Sequence, residues 1–315
     1  MRTVSIRRAD RYGPVPLSGF RSVVEIRARL LQAVRAWFRD HGFLEVDTPV
    51  RVRTPALERH IDAIPSGSAF LRTSPELHMK RLLAAGYERI FQVGPCFRAG
   101  EEGAYHHTEF TMLEWYRAGG GYLDVLADAK ALVRYAVTAL QGQAVFPCRG
   151  RLVDVGVAWE SRKVSEVFLE YAGWDPVSDY DADRFTVDLL EKVEPRLRRD
   201  RPVVLMDYPV RTAALARCRA GNPPVAERWE LYMGGLELAN AFGELTDAAE
   251  QRRRFEQWAD ERNAAGRPVY ALDERFLEAL EQGMPASGGV ALGIDRLVML
   301  LADKTRINEV RPFPD

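Results

Sequence analysis

The stretch that decides the fold is RIFQVGPCFRAGEEGAYHHTEFTMLEWYR, residues 89–117. Its first third is apolar and ends at Arg98, its middle is glycine-rich and charged, and its last third is β-branched and aromatic. This pattern predicts two antiparallel strands joined by a long polar loop. Because side chains alternate between faces along a strand, Phe110, Met112, Glu114 and Tyr116 are predicted to share one face.

Glu114 stands out because it is a carboxylate within an otherwise apolar run. Burying an unpaired carboxylate is costly, so a cationic partner is predicted. That partner is either an internal Arg or Lys in a structural ion pair, or a positive group on a ligand. Arg98 adds a planar, permanently charged fork that suits a phosphate or a carboxylate.

Two later stretches also contain charged residues in positions that suit the binding of a ligand. Residues 228–245 predict a hairpin that turns at Gly234-Gly235, and a bulge within 239–243 would bring Glu237 onto the face of Asn240 and Glu244. Carboxylates and an amide at such a place suit Mg²⁺ bound together with nucleotide phosphates. Residues 288–304, GGVALGIDRLVMLLADK, predict a strand that leads into a helix beginning near Ile294. Arg296 then lies in the first helical turn, where the helix dipole disfavours a cation, which indicates a ligand anion.

Taken together, FR–loop–EFTMLEWYR, ELANAFGEL and GGVALGIDRLVMLLADK resemble motif 2, the lysyl-branch metal strand and motif 3 of class II aminoacyl-tRNA synthetases. The resemblance implies an α+β fold, the class II catalytic core, with a mostly antiparallel sheet flanked by helices. It also implies an ATP-dependent, AMP-forming amino-acid ligase that uses ATP and Mg²⁺, with Arg98 and Arg296 as the catalytic residues on the phosphates.

Further roles follow from the same resemblance, residue by residue. The expected ATP-binding residues are Arg98, Glu101, His106, His107, Phe110, Glu237, Leu238, Asn240, Gly293 and Arg296. The expected substrate-binding residues are Ser74, Pro75, Glu76, Glu114, Tyr116, Glu244 and Ala291. The expected metal ligands are Glu237 and Glu244. The motif 2 loop departs from the lysyl pattern, because Ala99-Gly100-Glu101 replaces Asn-Glu and His107 replaces an asparagine.

Ala291 stands where lysyl-tRNA synthetases generally have glycine. The truncated relatives that modify elongation factor P share this alanine, and one methyl group is worth about 1–3 kcal/mol of discrimination between substrates. The resemblance therefore implies that lysine or (R)-β-lysine is activated as an adenylate and transferred to a lysine side chain of elongation factor P. Two alternatives stay open: a stand-alone paralogue that loads another carrier, and an inactive regulatory synthetase paralogue.

The predicted organisation is an N-terminal arm over residues 1–20 and one class II catalytic domain over 21–315, with a variable helical insertion at about 150–205. No stretch reads as an anticodon-binding domain, so tRNA anticodon recognition is not expected. A helix over Arg21–Asp40 and a strand over Phe43–Val50 that ends at Pro49 resemble motif 1, which implies a homodimer. Another helix is predicted within Leu71–Gly86, with Ser74 as N-cap and Pro75 at the first helical position.

Composition agrees with a protein of this kind. The 315 residues carry a net charge of −1, so there is no overall basic field to drive nonspecific nucleic-acid binding. The three cysteines form no CxxC pair, and the two adjacent histidines lack nearby residues at metal-ligand spacing. No apolar run is long enough for a membrane span, and the N-terminus lacks a hydrophobic signal core. We therefore expect a cytoplasmic protein.

Overall fold

A computed structural model describes residues 17–313. A large sheet of nine strands forms its centre, in the order β1-β5-β6-β14-β13-β12-β10-β9, with β11 paired to β12. These strands are β1 (Leu44–Glu45), β5 (Arg89–Phe97), β6 (Glu109–Ala118), β9 (Glu160–Lys163), β10 (Val203–Pro209), β11 (Cys218–Arg219), β12 (Val225–Met233), β13 (Leu236–Gly243) and β14 (Ser287–Gly293). All pairs are antiparallel except β1–β5 and β9–β10, which confirms the mostly antiparallel sheet.

Two small sheets complete the strands. The first has the order β2-β4-β3, and the second pairs β7 with β8. Their strands are β2 (Arg51–Val52), β3 (Pro65–Ser66), β4 (Ala69–Leu71), β7 (Val145–Cys148) and β8 (Arg151–Asp154).

Eight α-helices flank the sheets within residues 17–313. They are α1 (Arg21–Asp40), α2 (Glu76–Ala84), α3 (Tyr122–Gln141), α4 (Val164–Ala172), α5 (Ala182–Asp188), α6 (Ala248–Ala264), α7 (Glu274–Gly283) and α8 (Ile294–Leu301). Short 3₁₀ turns span Leu17–Phe20, Glu194–Arg196, Val210–Thr212 and Ile307–Val310, and a π turn spans Leu189–Val193. Over the same residues, no helix combines the length and the apolar composition needed to cross a bilayer.

The helices lie in layers on the two faces of the large sheet. On one face, α1, α3 and α8 pack on Leu113 and Trp115 of β6. On the other face, α2, α6 and α7 pack around Ile90 and Tyr116. Successive residues of β6 thus contribute to opposite layers, as the alternation of a strand requires. Glu114 belongs to the second face, so the candidate site lies under α2.

Most predicted elements are present, with boundaries that differ for physical reasons. The helix at Arg21–Asp40 and both long hairpins are confirmed. The strand predicted over 43–50 is wrong in extent, because only Leu44–Glu45 pairs with β5. The helix predicted within 71–86 begins only at Glu76, because Leu71 is the last residue of β4. The Ser74 hydroxyl lies outside the helix and accepts a hydrogen bond from the Glu76 N–H. Pro75 is therefore the N-cap residue and not the first helical residue as predicted, and it is buried there.

The predicted helical insertion and N-terminal arm differ in detail from the observed structure. Helices and turns do occupy 164–196, but the start of the predicted helical insertion contains strands β8 and β9, and β9 joins the edge of the large sheet. Of the predicted arm, residues 1–16 lie outside the described part of the chain. Leu17–Phe20 form a 3₁₀ turn, and Phe20 is buried at the start of α1.

A substitution at Gly288 of β14 tests the close contact between this strand and the start of α3. A Cβ added there would lie 2.5 Å from the backbone oxygen of Gly121 and 2.9 Å from Val125 Cγ1. Because backbone cannot yield as a side chain can, Gly288→Ala is expected to lower the free energy of unfolding by about 1–3 kcal/mol in urea titrations. Gly103→Ala is the matched control, since its Cβ would meet nothing within 4 Å. Equal stability of the two variants would contradict the packing described here.

Candidate active site

An inner group of buried carboxylates lies around the start of α2. Glu76, Glu114 and Glu244 are 8%, 2% and 1% exposed. Lys80, at the i+4 position from Glu76, forms ion pairs with Glu76 at 2.7 Å and with Glu244 at 2.5 Å. The two carboxylates raise the pKa of Lys80 against the opposing effect of its burial, so its ammonium stays charged.

Glu114 is held differently, by two hydroxyl groups. The Ser74 hydroxyl donates to Glu114 Oε2 at 2.8 Å, and the Tyr116 hydroxyl donates to Oε1 at 2.6 Å. Burial, reinforced by the charge of Glu76, raises the pKa of Glu114 to about 7. Two neutral donors orient this carboxylate without neutralising it, so it is ready to receive a cation.

The sequence left open whether Glu114 has an internal cation or a ligand as its partner. Its hydrogen bonds come from hydroxyl groups, and Lys80 pairs with the neighbouring acids Glu76 and Glu244. Of the two alternatives, the geometry favours a positive group on a ligand.

A larger cavity of about 330 Å³ opens beside this group, a size typical of small-molecule sites. Two arginines from distant segments face it, Arg98 after β5 and Arg296 in the first turn of α8. The other predicted nucleotide residues also line it: Glu101, His106, His107, Phe110, Glu237, Leu238, Asn240 and Gly293. The structure thus brings all ten residues expected to bind ATP to one cavity.

The two arginines are poised in different ways. The Arg98 guanidinium lies over the Phe110 ring at 5.0 Å, and its buried Nε has no hydrogen-bond partner among residues 17–313. Arg296 donates to the Glu237 carbonyl at 2.7 Å and contacts His106 Nε2 at 2.7 Å. A buried donor without a partner is costly, so the Arg98 fork fits an anionic ligand.

Asn240 is oriented by a neighbouring arginine. Arg228 Nε donates to Asn240 Oδ1 at 3.2 Å, while another guanidinium nitrogen of Arg228 is bonded to the Thr212 carbonyl at 2.7 Å. With its oxygen occupied, Asn240 has its amide N–H groups left as donors.

The inner group and the larger cavity share a boundary. A second cavity lies over the inner carboxylates, and Arg98, Met112, Asn240 and Ala291 line both. Ala291 pairs with Glu114 on one side and with Asn240 on the other, so it lies at the centre of the floor. Strand order therefore places a cavity lined by arginines next to a cavity lined by buried carboxylates.

The predicted bulge lies elsewhere than expected. Leu231 pairs with Ala239 and Tyr232 with Glu237, so the extra residue is Leu238 and not one within 239–243. This irregularity turns Glu237 into the larger cavity beside Asn240.

The predicted metal pair is not brought together. Glu237 faces the larger cavity, whereas Glu244 lies in the inner group and is paired with Lys80. A carboxylate already bound to an ammonium has lost its free charge for a metal ion, so Glu244 belongs with the inner group. In the part of the chain that the structure describes, no cluster of three metal-ligating side chains occurs.

Sequence reasoning missed three residues of this region. Lys80 could have been found, because a lysine among the apolar positions of α2 needs an acidic partner. Gly289 is required because a Cβ would lie 2.3 Å from both Glu244 Oε1 and the Tyr116 ring. Glu58, which lines both cavities, gave no signal, because the segment around it has no periodic pattern.

Comparisons with known proteins identify this arrangement. A profile of the family described as tRNA synthetases class II (D, K and N) matches residues 4–315. The chain belongs to this family. Its large, mostly antiparallel sheet flanked by helices is therefore the fold of this family.

Comparison with individual relatives relates the chain to particular enzymes within this family. The chain is 41% identical over 307 residues to the elongation factor P–(R)-β-lysine ligase of Hamiltonella defensa, covering 91% of this chain and 93% of that protein. It is also 41% identical over 303 residues to the ligase of the same name from Edwardsiella ictaluri, with the same coverage. The lysine–tRNA ligase of Moorella thermoacetica is 34% identical over 342 residues, which span 100% of this chain and 69% of that enzyme.

Replacing Lys80 tests the inner ion pairs. Lys80→Met leaves Glu76 and Glu244 buried without their cation, which is expected to cost about 3–5 kcal/mol of the free energy of unfolding at pH 8.5. The loss is expected to be smaller at pH 6, because unpaired buried carboxylates have raised pKa values and take up protons. Urea unfolding at both pH values measures this difference.

Two further variants serve as controls for Lys80→Met. Lys163→Met changes an exposed lysine and should have little effect. Adding Glu244→Gln to Lys80→Met should restore part of the stability at pH 8.5. A pH-independent loss in Lys80→Met would show that packing, not charge, is responsible.

Proposed function

We propose that this protein activates (R)-β-lysine with ATP and transfers the β-lysyl group to a lysine side chain of elongation factor P. The observation that carries the proposal is the junction of two cavities, one lined by arginines that include Arg98 and Arg296, and the other by the buried carboxylates of Glu76, Glu114 and Glu244. A triphosphate and a diamine are complementary to these two regions. The names of the two ligases from Hamiltonella defensa and Edwardsiella ictaluri supply the specific substrate and acceptor.

In the first step, a carboxylate oxygen of the substrate attacks the α-phosphorus of ATP. The bond from that phosphorus to the bridging oxygen breaks, so pyrophosphate leaves and an acyl adenylate forms. Arg98 is placed to hold the α-phosphate and Arg296 the γ-phosphate, while the Phe110 ring and Asn240 contact the nucleotide. No protein nucleophile is needed, because positioning and neutralisation of charge supply the catalysis.

Recognition of the substrate uses the inner group. Glu114, with Ser74 and Tyr116 behind it, receives the distal ammonium, and Glu76 and Glu244 add negative potential around it. Ala291 shapes the floor between this group and the nucleotide, where one methyl group affects the choice between α-lysine and β-lysine by about 1–3 kcal/mol. Pro75 acts indirectly, by fixing the start of α2.

Mg²⁺ fits this site only together with the nucleotide. Magnesium is commonly held by one or two carboxylates plus substrate phosphates, and Glu237 is the carboxylate that lines the nucleotide cavity near Arg296. When bound there, the ion would neutralise phosphate charge. Glu101 faces the same cavity, 3.6 Å from Arg98, and orients that guanidinium.

In the second step, the amine nitrogen of the acceptor lysine attacks the acyl carbon. AMP leaves, the nitrogen loses a proton, and an amide bond remains. Because the acceptor is an elongation factor, we place the reaction in the cytoplasm. The relation to the lysyl enzymes is confined to this core, and tRNA anticodon recognition is not part of the proposal.

We also infer a homodimer. The exposed apolar side chains of Val24 and Leu44 lie on the helix and strand that resemble motif 1, and exposed Leu17 lies on the turn that precedes this helix. Sedimentation velocity at micromolar concentration that found a monomer would contradict this inference.

Pyrophosphate exchange tests the proposed activity. The protein is expected to exchange labelled pyrophosphate into ATP with (R)-β-lysine more efficiently than with α-lysine. Glu114→Gln is expected to raise the KM for β-lysine about 10- to 100-fold, since a hydrogen bond to a charged group contributes about 1.5–3 kcal/mol. Glu278→Gln, on the exposed side of α7, is the matched control.

Intact-mass measurement of elongation factor P completes the test. A gain of one β-lysyl group in the presence of ATP is expected. Exchange without that gain would indicate another carrier, a preference for α-lysine would refute the substrate, and absence of exchange would indicate an inactive paralogue.

A further inference from the structure

Glu58 lies at the junction of the two cavities and lines both of them. It follows β2 in the chain, outside the three motifs that form the rest of the site. Its companions at the junction include Arg98, Asn240 and Ala291. The reacting carboxylate of a substrate must reach this same junction, because that is where the two regions meet.

The backbone around Glu58 is firmly held. Arg262 of α6 is 1% exposed and donates to the carbonyls of Glu58 at 2.7 Å and Ile61 at 2.9 Å. The same guanidinium is paired with the Asp62 carboxylate at 2.5 Å. The Ala99 N–H, at the start of the motif 2 loop, donates to the Asp62 carbonyl at 2.8 Å. Glu58 is therefore fixed relative to Arg98.

Within the described part of the chain, the side chain of Glu58 has no protein partner. Among residues 17–313, its carboxylate makes no hydrogen bond or ion pair, whereas Glu76, Glu114 and Glu244 each have one. Burial raises the pKa of Glu58 to about 7, and the nearby Arg98 opposes this rise. A carboxylate held at a junction without a partner would gain from a cation brought by the ligand.

We propose that Glu58 binds the ammonium group that lies nearest the reacting carboxylate of the substrate, which in (R)-β-lysine is the β-ammonium. This deepens the proposed function and rests on it. When the carboxylate reaches the α-phosphate beside Arg98, a nitrogen two carbons away stays at the junction. The distal ammonium extends to Glu114, so the two ammonium groups have separate acidic partners.

A ligand that lacks the β-ammonium group isolates the contribution of the proposed contact between that group and Glu58. The sulfamoyl analogues of two adenylates, (R)-β-lysyl and 6-aminohexanoyl, differ by the β-ammonium, and the nucleotide part gives both measurable affinity. Calorimetric titration of the wild-type protein is expected to give at least a tenfold lower Kd for the β-lysyl analogue. Equal Kd values would overturn the inference even without a variant.

Glu58→Gln is expected to weaken binding of the β-lysyl analogue about 10- to 100-fold and to change the Kd of the aminohexanoyl analogue less than twofold. Glu278→Gln, an exposed position on α7, should change neither Kd. Equal weakening of both analogues would overturn the inference, because it would place Glu58 at a shared group. Unchanged binding with slower transfer to the acceptor would also overturn it, because Glu58 would then act on the acceptor amine.

Failure of the proposed function would look different. If the wild-type protein bound neither analogue, the activity itself would be refuted. If it bound both equally, activation of an aminoacyl substrate would stand and the role of Glu58 would not.

Discussion

The burial of three carboxylates around the start of one helix is the constraint on which the rest of this structure depends. Glu76, Glu114 and Glu244 all lie below 9% exposure, and each costs free energy unless a cation or a donor compensates for it. Lys80 compensates for two of them, and two hydroxyl groups orient the third. The remaining negative potential is available to a ligand, which makes the inner group a receptor for positive charge.

The order of the central strands places this inner group next to the arginine-lined cavity, and the two together form the proposed active site. In β6, β14 and β13, the residues Glu114, Ala291 and Asn240 lie side by side in register. Arg98 reaches the larger cavity from the end of β5, and Arg296 reaches it from α8, the helix that directly follows β14. Carboxylates and arginines thus line adjoining cavities, although they come from segments nearly two hundred residues apart.

Much of this arrangement could be predicted from the sequence because it is local. The helical period of Arg21–Asp40, the alternation of the 109–118 strand and the glycine turn at 234–235 each specify their own element. The faces of Glu114 and Tyr116 follow directly from that alternation. The motif resemblance then placed Arg98 and Arg296 in one cavity, which the structure confirms.

The parts that could not be predicted depend on tertiary contacts. The length of β1 is set by where β5 offers a partner, and the bulge at Leu238 is set by pairing with β12. Glu244 was expected at the metal, but Lys80 from another element holds it in the inner group. Glu58 lies in a segment without regular structure, and Arg262, about two hundred residues away, fixes its position.

A crystal structure with a non-hydrolysable ATP analogue and (R)-β-lysine tests the central claim most directly. The triphosphate is expected to lie against Arg98 and Arg296, the distal ammonium to contact Glu114, and the substrate carboxylate to face the α-phosphorus at the junction. Nucleotide and amino acid bound in separate cavities, or an amino acid that does not reach Glu114, would contradict it.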